Sequence, residues 1–188
     1  MGANLANKLG QGLEPQQFID GMTKNQEKFL DYYNAFQWES DEQKEFFESV
    51  SNRDDLRCLI IAADWCGDVV RNIPVVFRAL ENSGMPVEVL IKEEHPDVMA
   101  QFLTDGGESI PVVIFADTGG FTLGTWGPRP KHVQDVLRRF KAENPDRTAE
   151  GYDDRLKVAR AEMIAQYGEG YGYQHTIVRE LRDLVSGL

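Results

Sequence analysis

The stretch LRCLIIAADWCGD, residues 56–68, decides the fold. Its first eight residues form an apolar run broken only by Arg57, the pattern of a strand covered on both faces rather than one half open to water. From Cys66 to Asn82 the apolar residues Val69, Val70, Ile73, Val76, Phe77 and Leu80 recur at helical steps. They predict a helix interrupted by Pro74 and ended near Gly84. Cys66 therefore falls where a buried strand turns into a helix. The unpaired N–H groups and positive end of that helix favour a thiolate, which makes Cys66 the candidate nucleophile.

Working outward, residues 86–91 read as a second apolar strand, so a helix joins two strands, most simply as a right-handed parallel crossover. Residues 95–103 read as a short helix opened by Pro96, and Gly106-Gly107 turn the chain into a third strand at 110–116. A tight turn at 117–120 leads to an antiparallel partner at 121–126, and 131–143 is a closing helix with Val133, Val136, Leu137 and Phe140 inward. The order is β-α-β-α-β-β-α. Upstream, 14–38 reads as one amphipathic helix, followed by a helix capped by Ser40 with Gln43 three residues on. Downstream, helices at 152–167 and 174–185 flank the loop GEGYGY, read as a flexible connection with its rings packed back on the body. The expected organisation is an N-terminal helical extension at 1–55, a core at 56–144 and a C-terminal helical extension at 145–188, all in one compact domain.

With 31 acidic against 20 basic residues and a formal charge of -11, most of the surface repels a phosphate backbone. Nucleic acid and anionic membranes are therefore not expected as partners. The opening residues lack the apolar core of a signal peptide, and a cytoplasmic location is expected. Two cysteines do not make a disulfide framework. Cys58 lies inside the first strand, roughly 16 Å along it from the end, whereas a disulfide needs Cα atoms within about 7 Å. Cys58 and Cys66 should be separate thiols, with Cys58 a small core residue. His95, His132 and His175 fall in separate elements without ligand spacing, so no metal is expected, and no cofactor.

Trp65-Cys66-Gly67 after a strand, Pro74 eight residues beyond the cysteine and Ile110-Pro111 opening a later strand together resemble thioredoxins. The resemblance covers about residues 57–143, and the single-cysteine form DWCGD is similar to a bacterial thioredoxin-like subgroup with extra helices at both ends. It implies an α/β thioredoxin-like fold, a central mixed four-stranded sheet flanked by helices. It also implies that Cys66 is exposed at the helix tip, that Pro111 is cis and faces it, and that the backbone of Ile110 pairs with an extended substrate. Trp65, Gly67, Ile110 and Pro111 are the substrate-binding residues on this reading.

Thioredoxins have a second cysteine where this chain has Val69, so a mixed disulfide cannot be resolved within the motif. Asp68 in the first helical turn competes for the positive helix end and could raise the Cys66 pKa by as much as about 2. It serves as a first-turn acid or, alternatively, as a proton acceptor for the thiol, and is the second candidate catalytic residue. Arg71 is placed to pair with Asp68 at i, i+3, Trp65 to pack or, alternatively, to shield the thiol, and Asp64 to cap the strand end. Arg129, in the junction Trp126-Gly127-Pro128-Arg129-Pro130, serves either to end a strand and start a helix or to meet a thiolate or carboxylate. Two functions follow. One is a thiol–disulfide oxidoreductase working through a mixed disulfide on Cys66, with a disulfide-bearing protein or a low-molecular-weight thiol as partner. The other is a non-catalytic binding module. Phe29, Tyr32, Tyr33, Phe36 and Trp38, if exposed, would mark a homodimer or partner surface.

Overall fold

In the computed structural model, which describes residues 2–188, four strands form one mixed sheet in the order β2-β1-β3-β4. They are β1 (Leu56–Ala62), β2 (Val87–Ile91), β3 (Val112–Asp117) and β4 (Thr122–Trp126). The apolar run of β1 is central, parallel to β2 and antiparallel to β3, and all of its residues except Arg57 are buried. The helices are α1 (Pro15–Asp20), α2 (Gln26–Asn34), α3 (Asp41–Ser49), α4 (Gly67–Leu80), α5 (Pro96–Met99), α6 (Lys131–Glu143), α7 (Tyr152–Gln166) and α8 (Tyr173–Ser186). The expected thioredoxin-like arrangement is present: a mixed four-stranded sheet flanked by helices. Pro74 lies inside α4 without ending it. Among the described residues, no helix is long and apolar enough to cross a membrane.

The segment expected as one helix from 14 to 38 is two, α1 and α2, broken at Gly21 to Asn25. A contact from the far side of β1 makes the break. The Asp64 carboxylate accepts from the Thr23 and Lys24 backbone N–H groups at 2.9 and 3.1 Å and from the Thr23 hydroxyl, while the Asn25 amide donates to the Asp64 carbonyl. Asn25 takes a left-handed conformation to make the turn. Asp64 thus ties the N-terminal helices to the end of β1, a larger role than capping the strand. Burial alone would raise its pKa, but the amide donors of Thr23 and Lys24 outweigh it and hold the carboxyl below its ordinary value. A lowered folded-state pKa adds stability above the unfolded-state pKa that is lost as pH falls through the folded one. Asp64→Asn should therefore flatten the acid limb of a stability-versus-pH curve; an unchanged limb would show that the contact contributes nothing.

The apolar faces of α1 and α2 meet α4 in a cluster of Phe18, Phe29 and Phe77, with ring centroids 5.8 to 6.3 Å apart. Phe29 is fully buried, and of the N-terminal aromatics Tyr32, Tyr33 and Trp38 also pack against the core. The N-terminal segment also covers both edges of the sheet. Leu13 exchanges backbone hydrogen bonds with Val89 on β2, and Thr122 on β4 donates to the Ala3 carbonyl. These contacts occupy part of each edge and leave less of it open to another chain's strand.

Candidate functional site

Cys66 caps the N-terminus of α4 with extended backbone angles, so its sulfur sits over the first turn and the Asp68 and Val69 amides point toward it. The side chain is partly buried, and Sγ donates to the Ile110 carbonyl at 3.5 Å. Ile110 is itself buried, and the Ile110–Pro111 bond is cis. Gly67 is exposed, and a Cβ placed there would meet open space. The expected substrate-binding residues Gly67, Ile110 and Pro111 thus lie beside the sulfur or one residue from the atom that contacts it. Val69 is fully buried where a second thiol would stand, and Cys58 is sealed in the sheet between Val87 and Phe115. Burial pushes the Cys58 thiol far above the range of a free cysteine.

The Cys66 thiol is also pushed up, in the direction expected of Asp68 and against that expected of the helix end alone. Burial is the largest cause; the Val69 amide opposes it, the Asp68 carboxylate adds to it, and the Asp68 amide and Arg129 oppose it. Hydrogen bonding to the Ile110 carbonyl also favours the protonated form. Helix-end electrostatics are present but are outweighed by the sulfur's loss of water.

Asp68 does not pair with Arg71. Its Oδ2 takes a 2.7 Å ion pair from Arg129, and the Tyr167 hydroxyl donates to Oδ1 at 3.4 Å. Arg129, from the junction after β4, is the partner that sequence spacing alone had left undecided. Its other terminal nitrogen donates to Gln134, which donates in turn to Asp105. Asn72, fully buried, donates to the Tyr167 hydroxyl at 2.9 Å and to the Pro128 carbonyl at 3.1 Å. Tyr167 closes the C-terminal end of α7, and burial first, then Asp68, raises its pKa well beyond that of free tyrosine. Arg71 instead lies over aromatic rings, 4.5 Å from the Tyr167 centroid and 5.8 and 5.9 Å from those of Tyr32 and Tyr173. In the GEGYGY loop Tyr173 is buried, as expected, whereas Tyr171 remains 47% exposed.

Trp65 departs from the packing role expected of it: 48% exposed, it is held upright by an indole N–H bond of 2.7 Å to Glu93, with the Lys92 ammonium 5.8 Å from its ring. The residue preceding Cys66 therefore presents an open aromatic surface.

A family model described as Thioredoxin matches residues 12–144, more than half of the chain. The chain belongs to the thioredoxin family. No match was found among curated proteins. Among solved structures, a protein of unknown function from Pseudomonas aeruginosa, known from a 1.5 Å crystal structure, is similar with a TM-score of 0.65 and 16% identity over 98% of each chain. An HIV epitope-scaffold is similar with the same TM-score and identity over 99% of each chain. At that identity the likeness is one of fold. Within the thioredoxin family match fall Cys66, Asp68, Arg129 and the Ile110 carbonyl, whereas Tyr167 comes from beyond its end.

Proposed function

We propose that this thioredoxin-family chain carries out thiol–disulfide exchange through Cys66 alone. The observation that carries the reading is the placement of a partly buried thiol on a helix N-terminus, against the Ile110 carbonyl. The Cys66 thiol loses its proton to solvent, and its sulfur attacks one sulfur of a disulfide. An Sγ–S bond forms as the old S–S bond breaks, and the departing thiolate takes the electron pair. A low-molecular-weight thiol, as its thiolate, then attacks the bound sulfur and returns Cys66 as a thiolate. Trp65, Gly67, Ile110 and Pro111 receive the substrate chain. Asp68, with both oxygens engaged, acts by holding Arg129 near the sulfur and is a positioning residue in this scheme.

A second reading, a binding module in the thioredoxin fold, is favoured by the raised Cys66 pKa and by Val69 in place of a second thiol. One experiment separates them. The protein is exposed to glutathione disulfide from about pH 6 to about pH 10, and adducts are located by mass spectrometry. A raised pKa means little thiolate at neutral pH, so the rate should climb past the midpoint of a free thiol, near about 8.5. A single adduct on Cys66, absent in Cys66→Ser and released by a small thiol, is the expected result. If Cys66 stays unmodified in the folded chain while the denatured chain reacts, the binding module is the function.

A further inference from the structure

A cavity of about 250 Å³ opens immediately beside the sulfur's own turn, between α4, α2 and α7. Gly67 and Asp68 form one wall; Lys28, Tyr32, Arg71 and Tyr167 line the remainder together with Asn25 and the apolar Val70, Met163 and Ile164. Its charges are unusual for a chain of net -11. The one carboxylate in the lining, Asp68, is committed to Arg129. Among the described residues neither Lys28 nor Arg71 has a carboxylate within ion-pairing distance. The Arg71 guanidinium lies near three tyrosine rings, closest to Tyr167, and no carbonyl or carboxylate among the described residues accepts from it, so its N–H groups are available to a forked acceptor. An arginine with a lysine nearby, in a cavity smaller than a drug-sized site, suits one carboxylate-bearing arm of a small molecule.

We propose that this cavity binds the carboxylate arm of a small acidic thiol or disulfide, with Arg71 as the main contact and Lys28 as the second cation. Placing that arm one residue from Cys66 selects which disulfide the sulfur meets, so the proposal rests on the exchange reading above and names its substrate class.

The test compares glutathione disulfide, neutral 2-hydroxyethyl disulfide and cationic cystamine. Each rate of adduct formation on Cys66 is divided by the rate of the same disulfide with a free model thiol. The overall negative charge by itself orders the three as cationic, neutral, anionic. The cavity reverses that order: glutathione disulfide should lead the neutral probe by about tenfold, in line with a charge-assisted hydrogen bond partly screened by water. The anionic-to-neutral ratio should fall toward one in Arg71→Gln, fall about threefold in Lys28→Gln, and shrink with added salt. If Arg71→Gln does not fold, Lys28→Gln and the salt series decide. A wild-type order of cationic, neutral, anionic overturns the cavity and leaves the exchange reading standing. If no probe reacts, the exchange reading falls, and the cavity is judged by calorimetry with S-methylglutathione. Binding that weakens about tenfold in Arg71→Gln keeps the site; no binding removes it.

Discussion

Arg129→Met should cost about 2–3 kcal/mol of stability and move the Cys66 thiol further from neutrality. The loss follows from stranding Asp68, whose side chain is only 18% exposed and whose partner in the 2.7 Å pair is 11% exposed. Removing one member of a mostly buried pair leaves an uncompensated charge, which costs more than the pair itself contributes. The shift in the thiol has a definite sign: Arg129 lowers the Cys66 pKa and Asp68 raises it, so removing Arg129 raises it further and Asp68→Asn lowers it. Urea unfolding reads the first effect, and the pH midpoint of Cys66 alkylation reads the second. In the double variant Asp68→Asn, Arg129→Met, much of the stability should return, because no charge is left unpaired. If Arg129→Met matches wild type in both measurements, the pair is an exposed ion pair of little consequence, and Arg129 has no part in tuning the sulfur.

Phe29→Ala should destabilise by about 3–5 kcal/mol, the range for removing a fully buried ring that leaves a cavity. Phe29 belongs to α2 but meets Phe18 of α1 and Phe77 of α4, so the loss would be felt across three helices. Thermal unfolding should remain one transition at a lower midpoint. Two separated transitions, or a loss below about 1 kcal/mol, would show that the N-terminal helices are an attachment rather than part of the core.

What the sequence disclosed depended on how local the cause was. β1 was legible because a two-sided buried strand writes its burial into consecutive residues, and α6 because a single apolar stripe at helical spacing sets both of its ends. The break between α1 and α2 was not, since its apolar faces keep one periodicity across the gap. The contact that breaks it comes from Asp64, about 40 positions away. At the site, Cys66 and Ile110 could be named from motifs, but Tyr167 and Asn72 could not: their bonds span 56 to 99 positions and neither sits in a motif. Arg71 had a carboxylate at the right helical spacing and went instead to tyrosine faces brought by α2, α7 and α8, while Asp68 pairs with Arg129, 61 positions away. The upward shift at Cys66 was legible only in part. Helix position and Asp68 are written in the sequence, whereas the burial that is the largest cause is not.

The exposed indole of Trp65 has a practical side. Of the three tryptophans, Trp126 is buried and Trp38 packs against the core, whereas Trp65, the residue before Cys66, stands half exposed to water. Solvent-exposed indoles emit at longer wavelength than enclosed ones and are quenched by neighbouring disulfides, so the chain carries its own optical probe. If the exchange proposed for Cys66 takes place, red-edge emission from Trp65 should change as the sulfur one residue along the chain is oxidised, with Trp38 and Trp126 as the background.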